Sequence, residues 1–345
     1  MAVIHTLLTH ENPDLDATLC IWLLRRFGRE RYPGIEATTL QFCPAGVLPE
    51  GKTPEQLEDE GILALDTGGG RMDTHARDGV VDERKKGMAA ASLVAADLGV
   101  HEHPDLEKLL FFVTQAETRG RSLSSHDPVD HLVSLPNILR GFNTLYSDQP
   151  QRVVDLMLEV YDAIHATERD WFVALEDYKA AIHKPVGKAR LVGFVSDSSA
   201  ILKVARHHKG DLLIHLTTTG QTGITLRHNG PLGHLDLREL AAVLRVAEAG
   251  LTGEPIVFSE LTAVGMNHGW YLHDSGKILS KGSAKNRKVT PTRMNLPELL
   301  SWAATWLDKN SPPPLARCTR QQGGTCEACP FFPGDLPGCQ ALQPA

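Results

Sequence analysis

The sequence predicts an α/β protein: an N-terminal domain around a mostly parallel sheet, a linker helix, a smaller α/β domain with a mixed sheet, and a short cysteine-rich tail. Three observations support this. Short apolar runs alternate with helical patterns through residues 1–99, as expected of buried parallel strands joined by crossover helices. One long helical pattern, spanning 149–183, separates that region from a more strand-rich one. Four of the six cysteines crowd into the last thirty residues, behind Ser311-Pro312-Pro313-Pro314.

At 345 residues the chain exceeds one ordinary core. The expected organisation is a first domain over 1–148, a helical linker over 149–184, a second α/β domain over 185–310, and a Pro linker with a four-cysteine tail over 311–345.

Taken in order, the apolar run Val3-Leu8 predicts a strand and the pattern over 14–27 a helix, with Asn12 as its cap and Pro13 at its first position. A strand over Ile35-Phe42, a charged stretch at 54–60 and a strand from Ile62 to Asp66 follow. The small-residue run from Met88 to Leu98 and the pattern from Asp105 to Ala116 predict two more helices. His126, Asp127, Asp130 and His131 lie in a turn-rich polar segment read as a solvated connector. Pro185-Val186-Gly187 marks a boundary. Beyond it come strands at 189–195, 212–219 and 223–227, helices near 198–207, 237–249 and 296–307, and a hairpin at 267–277.

The charge balance, 35 Lys and Arg against 42 Asp and Glu, creates no global positive field toward nucleic acid or anionic membrane. No apolar run approaches the ~20 residues of a membrane helix, and the N-terminus lacks the layout of a signal peptide, so a cytoplasmic protein without membrane contact is expected. Cys20 and Cys43 read as buried thiols. Cys318, Cys326, Cys329 and Cys339, spaced by seven, two and nine residues, read as ligands for Zn²⁺ or an iron–sulfur cluster.

Functional residues concentrate at strand ends. His10, Asp14 and Asp16 stand at the turn from the first strand into its helix, where converging ligands would repel one another without a cation. Asp66 ends another strand. The segment Thr67-Gly68-Gly69-Gly70 comes next, then Asp73, Thr74 and His75. In open α/β sheets ligands bind at the carboxyl ends of strands. Arg71, Arg77, Lys85, Lys86 and Arg119 are candidate phosphate contacts. The basic run Lys281–Lys288, with Lys285 and Arg287, offers a second place for nucleotide or nucleic-acid phosphates.

The order of these pieces resembles the DHH phosphoesterase superfamily, which includes manganese pyrophosphatases, RecJ-type exonucleases and oligoribonucleases. His10-Glu11-Asn12-Pro13-Asp14-Leu15-Asp16-Ala17 is similar to its first motif, Asp66 to its second, and Asp73-Thr74-His75 stands where Asp-His-His would be. Glu117 lies at or beside the acid of the fourth motif. The resemblance implies that Asp66 bridges two metals, that His10 and Asp14 complete one site, and that Asp16, Glu117 and His75 serve the other. Read position by position, His75 faces the phosphate; a one-residue loop shift would instead let it reach the metal. Asp66, Asp73 and His75 would then form the catalytic centre. Mixed imidazole and carboxylate ligands suit Mn²⁺ over Mg²⁺. The implied activity is hydrolysis of a phosphodiester or phosphoanhydride in a nucleotide, short oligonucleotide or other small phosphorylated substrate. The alternative is a degenerate relative that binds nucleotide or nucleic acid without turnover.

Overall fold

A computed structural model describes residues 3–308 except 78, 81, 120–126, 187–188, 231, 234 and 283–287. Lys285, Arg287, His126 and the four tail cysteines therefore lie outside the described residues. The chain divides into two compact units, 1–169 and 170–345.

Unit 1 begins with β1 (Thr6–His10), α1 (Leu15–Phe27), a 3-10 turn at Ile35–Ala37, β2 (Thr39–Cys43), α2 (Pro54–Asp59) and β3 (Ile62–Ala64). The three strands are parallel in the order β2-β1-β3, as the alternation of strands and helices predicts. Helices α3 (Ala90–Asp97), α4 (Pro104–Arg119), α5 (Pro128–Leu132), α6 (Leu135–Leu145) and α7 (Pro150–Lys179) come after them. Every residue from Leu15 to Leu24 is buried, so α1 is a core helix rather than an amphipathic one. It packs among Val94, Leu106, Val113 and Tyr161, whose hydroxyl donates to Leu15 O at 3.1 Å and lies 2.9 Å from Thr18 Oγ1.

Two local expectations change. The cap of α1 is Asp14, not Asn12, because Asp14 Oδ1 accepts from Ala17 N at 2.9 Å while its own backbone stays extended. The charged stretch at 54–60 is helix α2, started by a reciprocal cap between Thr53 and Gln56 with Pro54 inside the first turn. Asp127 caps α5 through Val129 N at 2.8 Å, so Asp130 and His131, expected in a loop, lie in a short helix.

Unit 2 takes in residues 170–179 of α7, then β4 (Ile182–Val186), β5 (Ala189–Val195), α8 (Ile201–His207), β6 (Leu212–Leu216), β7 (Thr222–Leu226) and α9 (Arg238–Thr252). Strands β8 (Gly265–Asn267), β9 (Trp270–Leu272) and β10 (Ile278–Lys281) and helix α10 (Leu296–Asp308) complete it. The sheet is mixed, in the order β4-β5-β6-β7-β10-β9-β8, with β5 and β6 its parallel pair. At seven strands it is the larger of the two sheets. Pro185 and Val186 pair with Arg190 and Ala189 in the β4–β5 hairpin, and the chain divides instead between residues 169 and 170. Side chains alternate across the sheet with period two: Leu212 and Ile214 join the α9 and α10 core, whereas Leu213 joins a separate cluster with Tyr178, Phe194 and Val204. Buried Arg245 on α9 donates to the carbonyls of Glu260, Leu261, Ala263, Gly265 and Trp270 and fixes the approach to β9.

No helix among the described residues is long and apolar enough to cross a membrane.

Candidate metal centre

Because β1 and β3 are parallel, with Leu8 opposite Ala64, their carboxyl ends emerge at one edge of the sheet. His10 is the last residue of β1, and Asp66 lies two residues beyond β3. Asp66 adopts a left-handed backbone, φ 51°, which Asp and Asn tolerate better than other non-glycine residues. Its amide donates to Met72 O at 3.0 Å, fastening the start of the glycine loop to its end.

The Asp66 side chain is the unusual one. The residue is 3% exposed, and neither carboxylate oxygen has a hydrogen-bond partner among the described residues. His10 Nε2 lies 3.5 Å from Oδ2 and His75 Nδ1 lies 3.6 Å from Oδ1, both too long for hydrogen bonds. Burial, and then the charges of Asp14, Asp16 and Asp73, push this carboxyl up to about 10. The Cys20 thiol behind it is also pushed up, by burial and then by the same four acids. A buried carboxylate with no donor is costly, and a cation removes that cost.

Two groups of ligand atoms meet here, each within 4.8 Å: His10, Asp14 and Asp66; and Asp66, Asp73 and His75. Asp66 belongs to both, the arrangement a bridging carboxylate needs. Asp14 does double duty, since one oxygen caps α1 and Oδ2 stands 3.8 Å from His10 Nε2.

The glycine loop builds the second group. Gly68 and Gly69 have φ of 80° and 68°, and a Cβ on Gly69 would fall 2.5 Å from Cβ of Arg77. Gly69 N donates to Asp73 Oδ2 at 2.6 Å, while Asp73 Oδ1 accepts from His75 N at 2.9 Å and holds His75 Nδ1 at 2.8 Å. Burial alone would raise the Asp73 carboxyl, but the His75 ring and the amides of His75 and Gly69 outweigh it and hold it low. The bond to Asp73 in turn raises the His75 imidazole to about 9, against opposition from burial. Of the two sequence readings of this loop, the geometry brings the His75 ring to the acids.

Asp16 and Glu117, expected beside the second ion, lie outside both groups. Asp16 is 1% exposed and accepts from Ala90 N and Ala91 N at 2.6 and 2.7 Å. It caps α3, whose own N-cap, Ala89, has no side chain able to do so. Burial pushes its carboxyl up to about 7, partly offset by those amides. Glu117 lies near the C-terminal end of α4, where partial burial and then the charge of Asp14 raise its carboxyl.

The phosphate candidates also separate. Arg71 is committed to Glu58 at 2.9 Å, Asp97 at 3.2 Å and the Tyr32 hydroxyl at 2.8 Å, far too engaged to serve an incoming phosphate. Lys85 Nζ donates to the carbonyls of Gly70 and Asp73, both at 2.6 Å, and so pins the loop. Lys86 pairs with Glu83 at 3.3 Å, and Arg119 is exposed at the end of α4. Only Arg77 lines the cavity beside the ligand groups, where its partner is Glu55 at 2.8 Å.

That cavity, about 790 Å³, is lined by His10, Asp14, Asp66, Asp73 and His75. The segment after β2 also lines it, through Gly46, Leu48, Lys52 and Thr53, none of which stands out as functional in the sequence. A signal was nonetheless present: Pro44, Gly46, Pro49 and Gly51 mark a loop leaving a strand at the same edge as His10 and Asp66.

No family model matches the chain, and no curated protein does. Among solved structures, one named as a member of the s1p family of ribosomal proteins, DHH domain, is 13% identical over 89% of this chain and 87% of its own, with a TM-score of 0.28. An uncharacterized protein from Helicobacter pylori G27 is 14% identical over 70% of this chain and 89% of its own, with a TM-score of 0.20. At such TM-scores neither likeness bears on fold or function, which rest on the geometry of the site.

Proposed function

We propose that the chain is a metal-dependent phosphoesterase hydrolysing a phosphodiester or phosphoanhydride in a nucleotide, short oligonucleotide or other small phosphorylated substrate. The observation that carries this reading is the buried, donorless Asp66 carboxylate shared by two ligand groups at the wall of a cavity. His10, Asp14 and Asp66 would hold one divalent ion, and Asp66, Asp73 and His75 a second. The mixed donor set suits Mn²⁺. Once bound, such ions supply an activated water and neutralise phosphoryl oxygens. The chain's own part is orientation. Asp73 fixes the His75 ring through Nδ1, and Arg77 offers a guanidinium at the cavity wall. Holding either ion would require the Asp66 carboxyl to give up its proton, and holding the second would require the His75 imidazole to give one up as well. Purified protein with Mn²⁺ should hydrolyse a small aryl phosphodiester or a pyrophosphate-containing nucleotide, and Asp66→Ala should abolish the activity; undiminished turnover in that variant sinks the proposal.

A second reading, a binder without turnover, is favoured by the withdrawal of Asp16 and Glu117 from the second group. Metal titration separates the two: one weakly held ion and no turnover supports the binder, two ions with turnover the enzyme.

A further inference from the structure

Between residues 179 and 210 the chain carries seven Lys or Arg against one acid, Asp197, in a protein whose formal net charge is -7. The bases are interspersed with apolar residues, so no dense run betrays them. Among the described residues of unit 2, several of these bases flank a row of rings. Lys203 Nζ lies 5.6 Å over the Trp171 ring, Trp171 is 6.2 Å from His207, His207 is 5.4 Å from His208, and His208 stacks on Tyr178 at 4.9 Å. His183 meets Tyr178 in a near-perpendicular contact at 5.2 Å. These six side chains form one continuous strip across the end of α7, α8 and β4, with the charge of Arg190 acting on Tyr178 from β5.

Tyr178 is buried, Trp171 half-buried and the three histidines exposed. Lys184, Arg190, Lys203, Arg206 and Lys209 are exposed as well, and none has an ion-pair partner among the described residues. Acids of the same region have other partners: Asp211 accepts from Arg190 N and faces Arg227, Glu176 pairs with Lys179, and Asp170 and Asp177 accept from the hydroxyls of Ser199 and Ser196. Protection of an edge strand accounts for Lys184 and Pro185 on β4, but not for a chain of rings flanked by unpaired cations. Exposed imidazole rings, backed by Trp171 and Tyr178 and set between cations, fit a strand of unpaired bases, whose phosphates seek the charges and whose faces seek the rings.

We infer that this strip binds single-stranded nucleic acid. The binding is independent of the metal centre, so it is measured in EDTA. The full chain is titrated, at several salt concentrations, with short labelled oligothymidylate and oligouridylate, with a duplex of the same length, and with anionic lipid vesicles. Expected is single-strand binding whose salt dependence flattens by about 2 in log–log slope when Lys203, Arg206 and Lys209 are all replaced by Ala. Replacing His207 and His208 by Ala should weaken binding by about tenfold through lost stacking. A Lys184→Ala/Arg190→Ala pair on the hairpin guards against a misfolded helix variant and should weaken binding in the same direction. Preference for thymidine or uridine strands assigns the partner as DNA or RNA; either supports the strip. Undetectable binding at low salt, parental affinity in all three variants, or equal affinity for duplex or vesicles overturns it. Hydrolysis of a small diester by the variants should equal that of the parent, so failure of the metal-centre proposal and failure of this one are read separately.

Discussion

Replacing Asp66 by Asn should stabilise the metal-free protein while destroying its response to metal. With its carboxyl at about 10, Asp66 is protonated at neutral pH in the folded state. An Asp in the unfolded chain ionises near pH 4, so at pH 7 the folded state forgoes about 4 kcal/mol of ionisation free energy. Asn keeps the shape and tolerates the left-handed backbone at φ 51° equally well, without that cost. Its amide inherits a position with no partner, which costs about 1–3 kcal/mol. The net gain is about 2 kcal/mol, or roughly 4–8 °C in Tm for a unit of this size. The direction of the pH dependence is set by the raised carboxyl. The Asp66 contribution to the metal-free parent is fully present below about pH 4 and is lost progressively as pH rises toward 10, a loss that Asp66→Asn should not show. Differential scanning calorimetry in EDTA and in Mn²⁺ measures both effects. A metal-free Asp66→Asn protein that melts below the parent refutes the argument, because it would mean that the ionised carboxylate is already satisfied by the protein.

The same geometry makes other outcomes testable. Since the Asp66 carboxyl and the His75 imidazole hold protons at neutral pH, Mn²⁺ binding should release protons and tighten from pH 6 toward pH 9; calorimetry in buffers of different ionisation enthalpy would show it, and pH-independent affinity would contradict it. Asp16→Ala should cost about 1–3 kcal/mol by stripping the Ala90 and Ala91 amides of their acceptor, read as a lower midpoint in urea without loss of the first metal ion. Gly69→Ala puts a Cβ 2.5 Å from that of Arg77 at φ 68°, so it should displace Asp73 and His75 and weaken the second ion more than the first, as equilibrium dialysis would register.

Much of the first unit was legible because its signals are local. Buried apolar runs, their alternation with helices, and His10, Asp14 and Asp66 at strand ends are dictated by residue type and order. The role of Asp16 was not legible, because whether a carboxylate two positions from Asp14 faces a cation or a helix end depends on where α3 docks, seventy-four residues away. Arg71 misled for a similar reason: it looks available until Glu58, Asp97 and Tyr32 converge on it from three other elements. The Asp73-Thr74-His75 segment left its register open, and only the closure of the glycine loop settles which side chain reaches Asp66. In the second unit the sequence order concealed the basic strip, since charges spread over a helix, a hairpin and a strand end become neighbours through folding alone.

The parallel pairing of β1 with β2 and β3 has a consequence for how such a protein can diversify. The anchoring ends of the three strands are spaced by backbone hydrogen bonding, about 5 Å from one strand to the next, regardless of the loop into which each strand leads. The segment after β2 can therefore lengthen, shorten or change its lining without moving His10 or Asp66. The candidate metal ligands and the loop that lines the same cavity thus sit on separately replaceable parts of one edge, so a lineage built on this frame can remodel the lining while keeping the ligands in place.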